Sequence, residues 1–189
     1  MTNQIPYFVF MRKHAKFFTQ HKIDGIPEKF VQRIGALQSC KLVRSVTAVM
    51  EKLKKLESGT KNHLKIMVSQ ARTEEGRILF ELSMQGVELS IIVGHNTIFT
   101  DETVEMVAKF REKVPANERT HNKMVEKVDV ALYIADGQAA VMFPNTTGEI
   151  DMNALFLGSD VAFYEWCNDV FHHYWERAGY FDIKKTTRV

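Results

Sequence analysis

An α/β domain built on a mixed, mainly parallel sheet is what this sequence predicts, and three observations carry the prediction. From residue 40 onward, short apolar runs alternate with amphipathic stretches, the pattern of strand-helix-strand crossovers. Residues 87–93 (VELSIIV) are rich in β-branched side chains and apolar on both faces in their second half, as a central parallel strand must be. Asp136-Gly137, between two further apolar runs, is a pair suited to a type I′ hairpin turn, so part of the sheet should run antiparallel.

Taken in order, residues 7–21 place Tyr7, Met11, Ala15 and Phe18 on one helical stripe with Phe10 and Phe17 beside it, which predicts a docked helix. Asp24-Gly25 makes a turn, and Pro27 suits the first position of a second helix burying Phe30, Val31, Ile34 and Leu37. Residues 40–44 form a short strand. Ser45 caps a helix carrying Val49, Met50, Leu53 and Leu56, which stops at Ser58-Gly59. Residues 64–68 are a second strand. Thr73, followed by Glu74 and Glu75, opens a helix with Ile78, Leu79 and Leu82 inward, and Gly86 ends it. After the strand at 87–93 comes a polar loop, then a helix over 102–113 with Val104, Val107 and Ala108 inward. Residues 115–123 have no periodicity and read as an excursion. Residues 128–135 and 138–143 are the hairpin strands, 152–157 a last strand, and Asp160 caps a long helix. That helix is expected to bury Phe163, Cys167, Val170, Phe171 and Tyr174, with Trp166 and His173 off the stripe. The organisation predicted is N-terminal helices over 1–38, an α/β domain over 39–180 and a solvated tail over 181–189.

Composition narrows the function classes. The 25 basic and 23 acidic residues are spread along the chain, which is too even for the dense basic face of a nucleic-acid binder. No apolar run reaches the ~18 residues of a membrane span, so no membrane partner is expected. The opening MTNQIPYFVFMRK lacks the features of a secretory signal, which points to the cytoplasm. The 2 cysteines, Cys40 and Cys167, lie far apart with no CxxC spacing, and read as buried thiols. His172 and His173 are neighbours on a helix, so they point about 100° apart and do not share a metal. Neither a phosphate-cradling glycine loop nor a GxSxG elbow occurs, and no cofactor is expected.

Two His-x-Lys triplets remain, His63-Leu64-Lys65 on a predicted strand and His121-Asn122-Lys123 in the predicted excursion. Phospholipase D-type phosphodiesterases pair a nucleophilic histidine with a phosphate-binding lysine, and strand alternation turns His63 and Lys65 to one side. That motif continues with an aspartate five residues after the lysine, where this chain has Gln70 and Val128. A phosphodiesterase or nuclease using His63 and Lys65 is therefore the alternative reading, and no catalytic residue is assigned.

Residues 17–37 (FFTQHKIDGIPEKFVQRIGAL) and 148–175 (GEIDMNALFLGSDVAFYEWCNDVFHHYW) resemble the middle domain of archaeal transcriptional regulators of the methanogenesis regulatory, or filament-regulator, type. The resemblance rests on the phrase GIPE followed by RIG at one end, and on a Gly-x-hydrophobic-Asp strand with an aromatic helix at the other. Cys167 departs from it, standing where the family usually has glycine, and residues 94–96 have no counterpart in it. It implies a non-enzymatic regulatory domain with a phospholipase D-like core lacking the catalytic motif. It also implies DNA contact only through a winged-helix domain that does not fit ahead of residue 17.

In open α/β sheets ligands gather beyond the carboxyl ends of the strands. Those ends carry Ser69, Gln70, Arg72 and Thr73 after one strand, and His95 and Asn96 after another, which predicts a site for a small anionic or polar effector. The helix start at Thr73 with Arg72 beside it favours an anion. The aromatic residues Phe10, Phe17, Phe18, Trp166 and Tyr174 exceed what helices leave in water and predict a homodimer through the first and last helices.

Overall fold

The computed structural model describes residues 5–113 and 120–188. Its strands are β1 (Lys41–Arg44), β2 (His63–Ala71), β3 (Glu88–Phe99), β4 (Thr120–Val125), β5 (Ala131–Ala135), β6 (Gln138–Met142), β7 (Ala154–Gly158), β8 (Gly179–Tyr180) and β9 (Thr187–Arg188). The helices are α1 (Ile5–Lys13), α2 (Ala15–Phe18), α3 (Glu28–Val31), α4 (Val46–Ser58), α5 (Thr73–Met84), α6 (Asp101–Lys113) and α7 (Val161–Arg177), with 3-10 turns at Ile34–Ser39 and Ile183–Lys185. The described strands form a single sheet in the order β1-β7-β6-β5-β2-β3-β4-β8, with β9 joining β3.

The sheet is mixed, as expected, but its parallel part is confined to β2, β3, β4 and the short β9. Every other pairing is antiparallel, and of these β5-β6 and β6-β7 join consecutive strands with no helix between them. The turn itself is the expected one, with Asp136 at φ 31° and Gly137 at φ 86°. β5 is buried along its whole length. That follows from layers on both faces. Phe10, Phe17, Phe30, Leu37 and the apolar side of α7 cover one face with Met67, Ile92 and Leu132, and the helices α4 and α5 cover the other with Ile66, Leu89 and Tyr133.

Caps fall where the side chains dictate. Ser45 accepts from Ala48 N at the start of α4, and Asp160 accepts from Ala162 N and Phe163 N at the start of α7. Elsewhere tertiary contacts override local pattern. The first helix breaks at His14 into α1 and α2, and the second is reduced to α3 and a 3-10 turn. Gly35 in that turn touches α1 so closely that a Cβ there would stand 2.5 Å from the carbonyl carbon of Pro6. The strand expected to stop at Val93 runs on to Phe99 through an irregularity that sets residues 94–97 against Ser69 alone. Thr97 closes it from a fully buried position, accepting from Gly94 N at 2.8 Å and donating to Val68 O at 3.0 Å. Residues 120–123 of the expected excursion belong to β4, which runs on to Val125, and the rest of that stretch, 115–119, lies outside the described residues. The tail is not free in solvent, since β9 pairs with β3 and the 3-10 turn packs Ile183 against the core.

No helix among the described residues is long and apolar enough to cross a membrane.

Candidate functional site

Side chains from β2, β3, α5 and α6 do not fill the space between them, leaving a cavity of about 370 Å³. Its walls are apolar: Ile66 and Val68 of β2, Leu89, Ile91 and Val93 of β3, Leu79 of α5, Met106 and Val107 of α6, and Phe181 from the C-terminal segment. This is the size and character of a small-molecule site. Polar groups enter from two sides: Arg72, Glu75 and Thr103 line it, and so do Thr120, Asn122 and Lys123 of β4.

Those groups belong to a buried network. Arg72 Nη2 donates to Glu57 Oε1 of α4 at 3.2 Å and to Glu75 Oε1 of α5 at 3.1 Å, and Tyr133 Oη of β5 donates to the same Glu75 oxygen at 2.9 Å. Glu57 is fully buried. Burial, reinforced by the charge of Glu75 and only partly offset by Arg72, pushes its carboxyl far above the usual carboxylate range, so Glu57 keeps its proton at neutral pH. One guanidinium then balances one carboxylate. Glu57 Oε2 and Arg72 Nε have no hydrogen-bond partner among the described residues.

A carboxyl that stays protonated in the fold and ionises in the unfolded chain costs stability as pH rises. Above the ordinary carboxylate range the unfolded state binds fewer protons than the folded one, so the penalty grows until the raised pKa is reached. Glu57→Gln keeps an acceptor for Arg72 and removes the titration. It is expected to raise the melting temperature relative to wild type at pH 8 by several degrees, and to leave it nearly unchanged at pH 4, as calorimetry at the two pH values will show.

The six residues expected at the strand ends do not converge. Only Arg72 lines the cavity, and its side chain turns inward to the two glutamates rather than out to an anion at the α5 terminus. Thr73 binds Thr103 Oγ1 at 3.2 Å. Ser69 sits at the register break with Gln70 exposed beyond it. His95 and Asn96 lie within β3 instead of a loop, and Asn96 Oδ1 accepts from Val128 N at 3.3 Å. The cavity escaped the sequence because its walls come from segments as distant as Ile66 and Phe181. The glutamates carried a weak signal, since an acidic residue at an inward position of α4 requires a buried partner.

The aromatic face is corrected as well. Phe10, Phe17 and Trp166 are at most 2 % exposed, and Trp166 Nε1 donates to Phe30 O at 2.9 Å. Phe18 and Tyr174 pack against the same cluster, and Tyr174 Oη donates to Gly25 O. These side chains belong to the core between the N-terminal helices and α7.

On the opposite side of the sheet from the cavity, α7 crosses the two His-x-Lys triplets. His63 Nε2 shares a hydrogen bond with Tyr164 Oη at 2.9 Å, and its Nδ1 stands 3.6 Å from Asp136 Oδ1. Lys65 Nζ donates to Asn168 Oδ1 at 2.8 Å and lies 3.5 Å from His172 Nε2. The second triplet is on β4, where Lys123 Nζ donates to Trp175 O at 2.9 Å and sits 4.7 Å from that indole. His172 and His173 diverge as expected, the latter against Phe30. Among the described residues no group of three or more His, Cys, Asp or Glu is placed to hold a metal ion.

No family model and no curated protein matches this chain. Solved structures do. NucT from Helicobacter pylori superposes with a TM-score of 0.59 at 13% identity over 76% of this chain and 99% of its own. Nuc from Salmonella typhimurium, a phospholipase D family member, gives 0.57 at 12% identity over 76% and 97%. TrmBL2, an archaeal chromatin protein with a novel mode of DNA binding, gives 0.57 at 14% identity over 75% of this chain and 54% of its own. The chain thus spans about half the length of TrmBL2. At these identities the likeness establishes the fold, which is phospholipase D-like.

Proposed function

We propose that this chain is the effector-binding domain of an archaeal DNA-binding transcriptional regulator of the methanogenesis regulatory type, and that it is not an enzyme. The observation that carries the proposal is the apolar cavity of about 370 Å³ between β2, β3, α5 and α6, walled by Arg72 and Glu75 at one end. A cavity of this kind stabilises whichever arrangement of α5 and α6 closes on its ligand, which is how an effector reaches a distant DNA reader. The shared fold with TrmBL2 supports the regulatory class, and DNA contact is assigned to a part of the regulator other than this domain.

The occupant is a small, mostly apolar molecule with one polar group, in place of the polar effector that strand-end geometry suggested. A thermal-shift panel of medium-chain carboxylic acids, alcohols and aromatic acids is the test. A binder at about a hundred times its Kd adds about 2.7 kcal/mol of stability. Val107→Trp, which fills the cavity, is expected to abolish that shift. Stabilisation by no member of the panel, or an equal shift in the filled variant, would refute the effector site.

The nuclease reading rests on His63 and Lys65 sharing one face of β2. Against it, His63 Nε2 is occupied by Tyr164 and Gln70 stands where the motif needs an acid. Hydrolysis of bis(p-nitrophenyl) phosphate that His63→Ala abolishes would establish it instead.

A further inference from the structure

Among the described residues, three charged side chains line the cavity: Arg72, Glu75 and Lys123. Lys123 does not turn its charge inward. It pairs with Ile92, which belongs to the core on the other face of the sheet, and its Nζ donates to Trp175 O of α7 at 2.9 Å. The same ammonium lies 4.7 Å from the centroid of the Trp175 ring. On the cavity side of β4 stand Thr120 and Asn122, which pair with the cavity residues Leu89 and Ile91. That side is therefore polar but uncharged.

The other polar end is charged and already balanced. Arg72 donates to Glu75 at 3.1 Å, and its second acidic partner, Glu57, is fully buried and does not reach the cavity wall. One guanidinium serves two carboxyl groups, so no positive charge is left over for an anion, whether Glu57 holds its proton or not. Burial keeps that proton in place at neutral pH, so no negative charge is left over for a cation. Glu75 is 3 % exposed and Thr103 2 %, so a ligand head at this end is stripped of its water. An ionised head would lose that water and gain no counter-ion.

Hydrogen-bond direction narrows the head further. Arg72 only donates and the ionised Glu75 only accepts. A carboxylate only accepts and an ammonium only donates, so each would match one member of the pair and oppose the other. A hydroxyl donates to the carboxylate and accepts from the guanidinium. A carboxylate turned the other way would set its methyl end against the Arg72–Glu75 pair and its head beside Thr120 and Asn122, where no described cation faces it.

We propose that the cavity selects an uncharged apolar molecule with a hydroxyl head, a medium-chain alcohol, and rejects the carboxylate and the amine of the same carbon skeleton. The proposal rests on the cavity being the effector site and adds the charge state of its effector. The hydroxyl sits at the Arg72–Glu75 pair and the chain lies along Ile66, Leu89 and Val107.

Isothermal titration calorimetry of the full chain at neutral pH, with medium-chain alcohols, the matching carboxylates and the matching primary amines, is the test. The alcohols are expected to bind roughly a hundredfold more tightly than either ionised counterpart. Val107→Trp is expected to abolish alcohol binding, which locates it in the cavity. The double variant Glu57→Gln with Glu75→Gln leaves Arg72 without a carboxylate, and is expected to reverse the preference in favour of the carboxylate. Carboxylates or amines that bind as tightly as the alcohols, and are blocked by Val107→Trp, would leave the effector site standing and overturn the charge selection. An unaltered alcohol preference in the double variant would overturn the role of the Arg72–Glu75 pair. Binding by none of the three series would overturn the effector site and the selection together. Should the double variant fail to fold, the wild-type comparison decides the selection by itself.

Discussion

Arg72→Met is expected to destabilise the domain by about 3–5 kcal/mol, the cost of removing one member of a buried ion pair and leaving the other unpaired. Arg72 connects three elements, donating to Glu57 of α4 and Glu75 of α5 from the end of β2. Methionine matches its volume and apolar stem, so the loss isolates charge from packing. Glu75 is 3 % exposed, and without Arg72 its remaining described side-chain partners are the Tyr133 hydroxyl and the Glu57 carboxyl. Neutral donors do not offset a buried carboxylate as a guanidinium does. Denaturant unfolding at pH 8 should show this deficit. A deficit below about 1 kcal/mol at pH 8, the scale of an exposed ion pair, would place Arg72 at the surface rather than in a buried network. The double variant Glu75→Gln with Arg72→Met is expected to recover most of the loss, because it removes the charge that Arg72 serves.

The same network shows what the sequence could and could not reveal. Strand and helix types were legible wherever local chemistry decides them: the Ser45 and Asp160 caps, the Asp136-Gly137 turn and the apolar run of β3 all stand as read. Reading failed where a distant segment decides. His95-Asn96-Thr97 looks like a loop because it is polar, yet Thr97 is buried and bonded to Val68, a residue 29 positions earlier, which keeps the chain in the sheet. Thr120 to Val125 looks aperiodic because the strand is polar on its exposed half, and it is held by the backbone of β3 rather than by its own apolar content. Arg72 looked free to meet an anion because Glu57 is 15 positions away on another helix. The two His-x-Lys triplets were visible as motifs, whereas their placement on the strands either side of β3 is a property of register, which no local spacing encodes.

Trp166→Ala is expected to cost about 3–5 kcal/mol, lowering the melting temperature by about 6–20 °C for a domain of this length. Trp166 lies three residues after Phe163 and one before Cys167, and all three are fully buried. The apolar face of α7 is wide because it meets two surfaces, the sheet below and the N-terminal segment beside it. Trp166 joins those surfaces. Its ring belongs to the cluster containing Phe30 and Ile34, and its Nε1 donates to Phe30 O, so truncation removes a large packed volume and one of the hydrogen bonds that carbonyl accepts, the other coming from Arg33 N. Trp166→Phe keeps most of the volume and loses the hydrogen bond, which separates the two contributions and should cost about 1–2 kcal/mol less than the alanine variant. If Trp166 lay instead at a contact between two copies, dilution would lower the stability of wild type and the alanine variant would unfold at a temperature independent of concentration. A single intrachain core predicts the reverse of that pattern in its first part: wild-type melting independent of concentration, with the deficit of Trp166→Ala the same at every dilution.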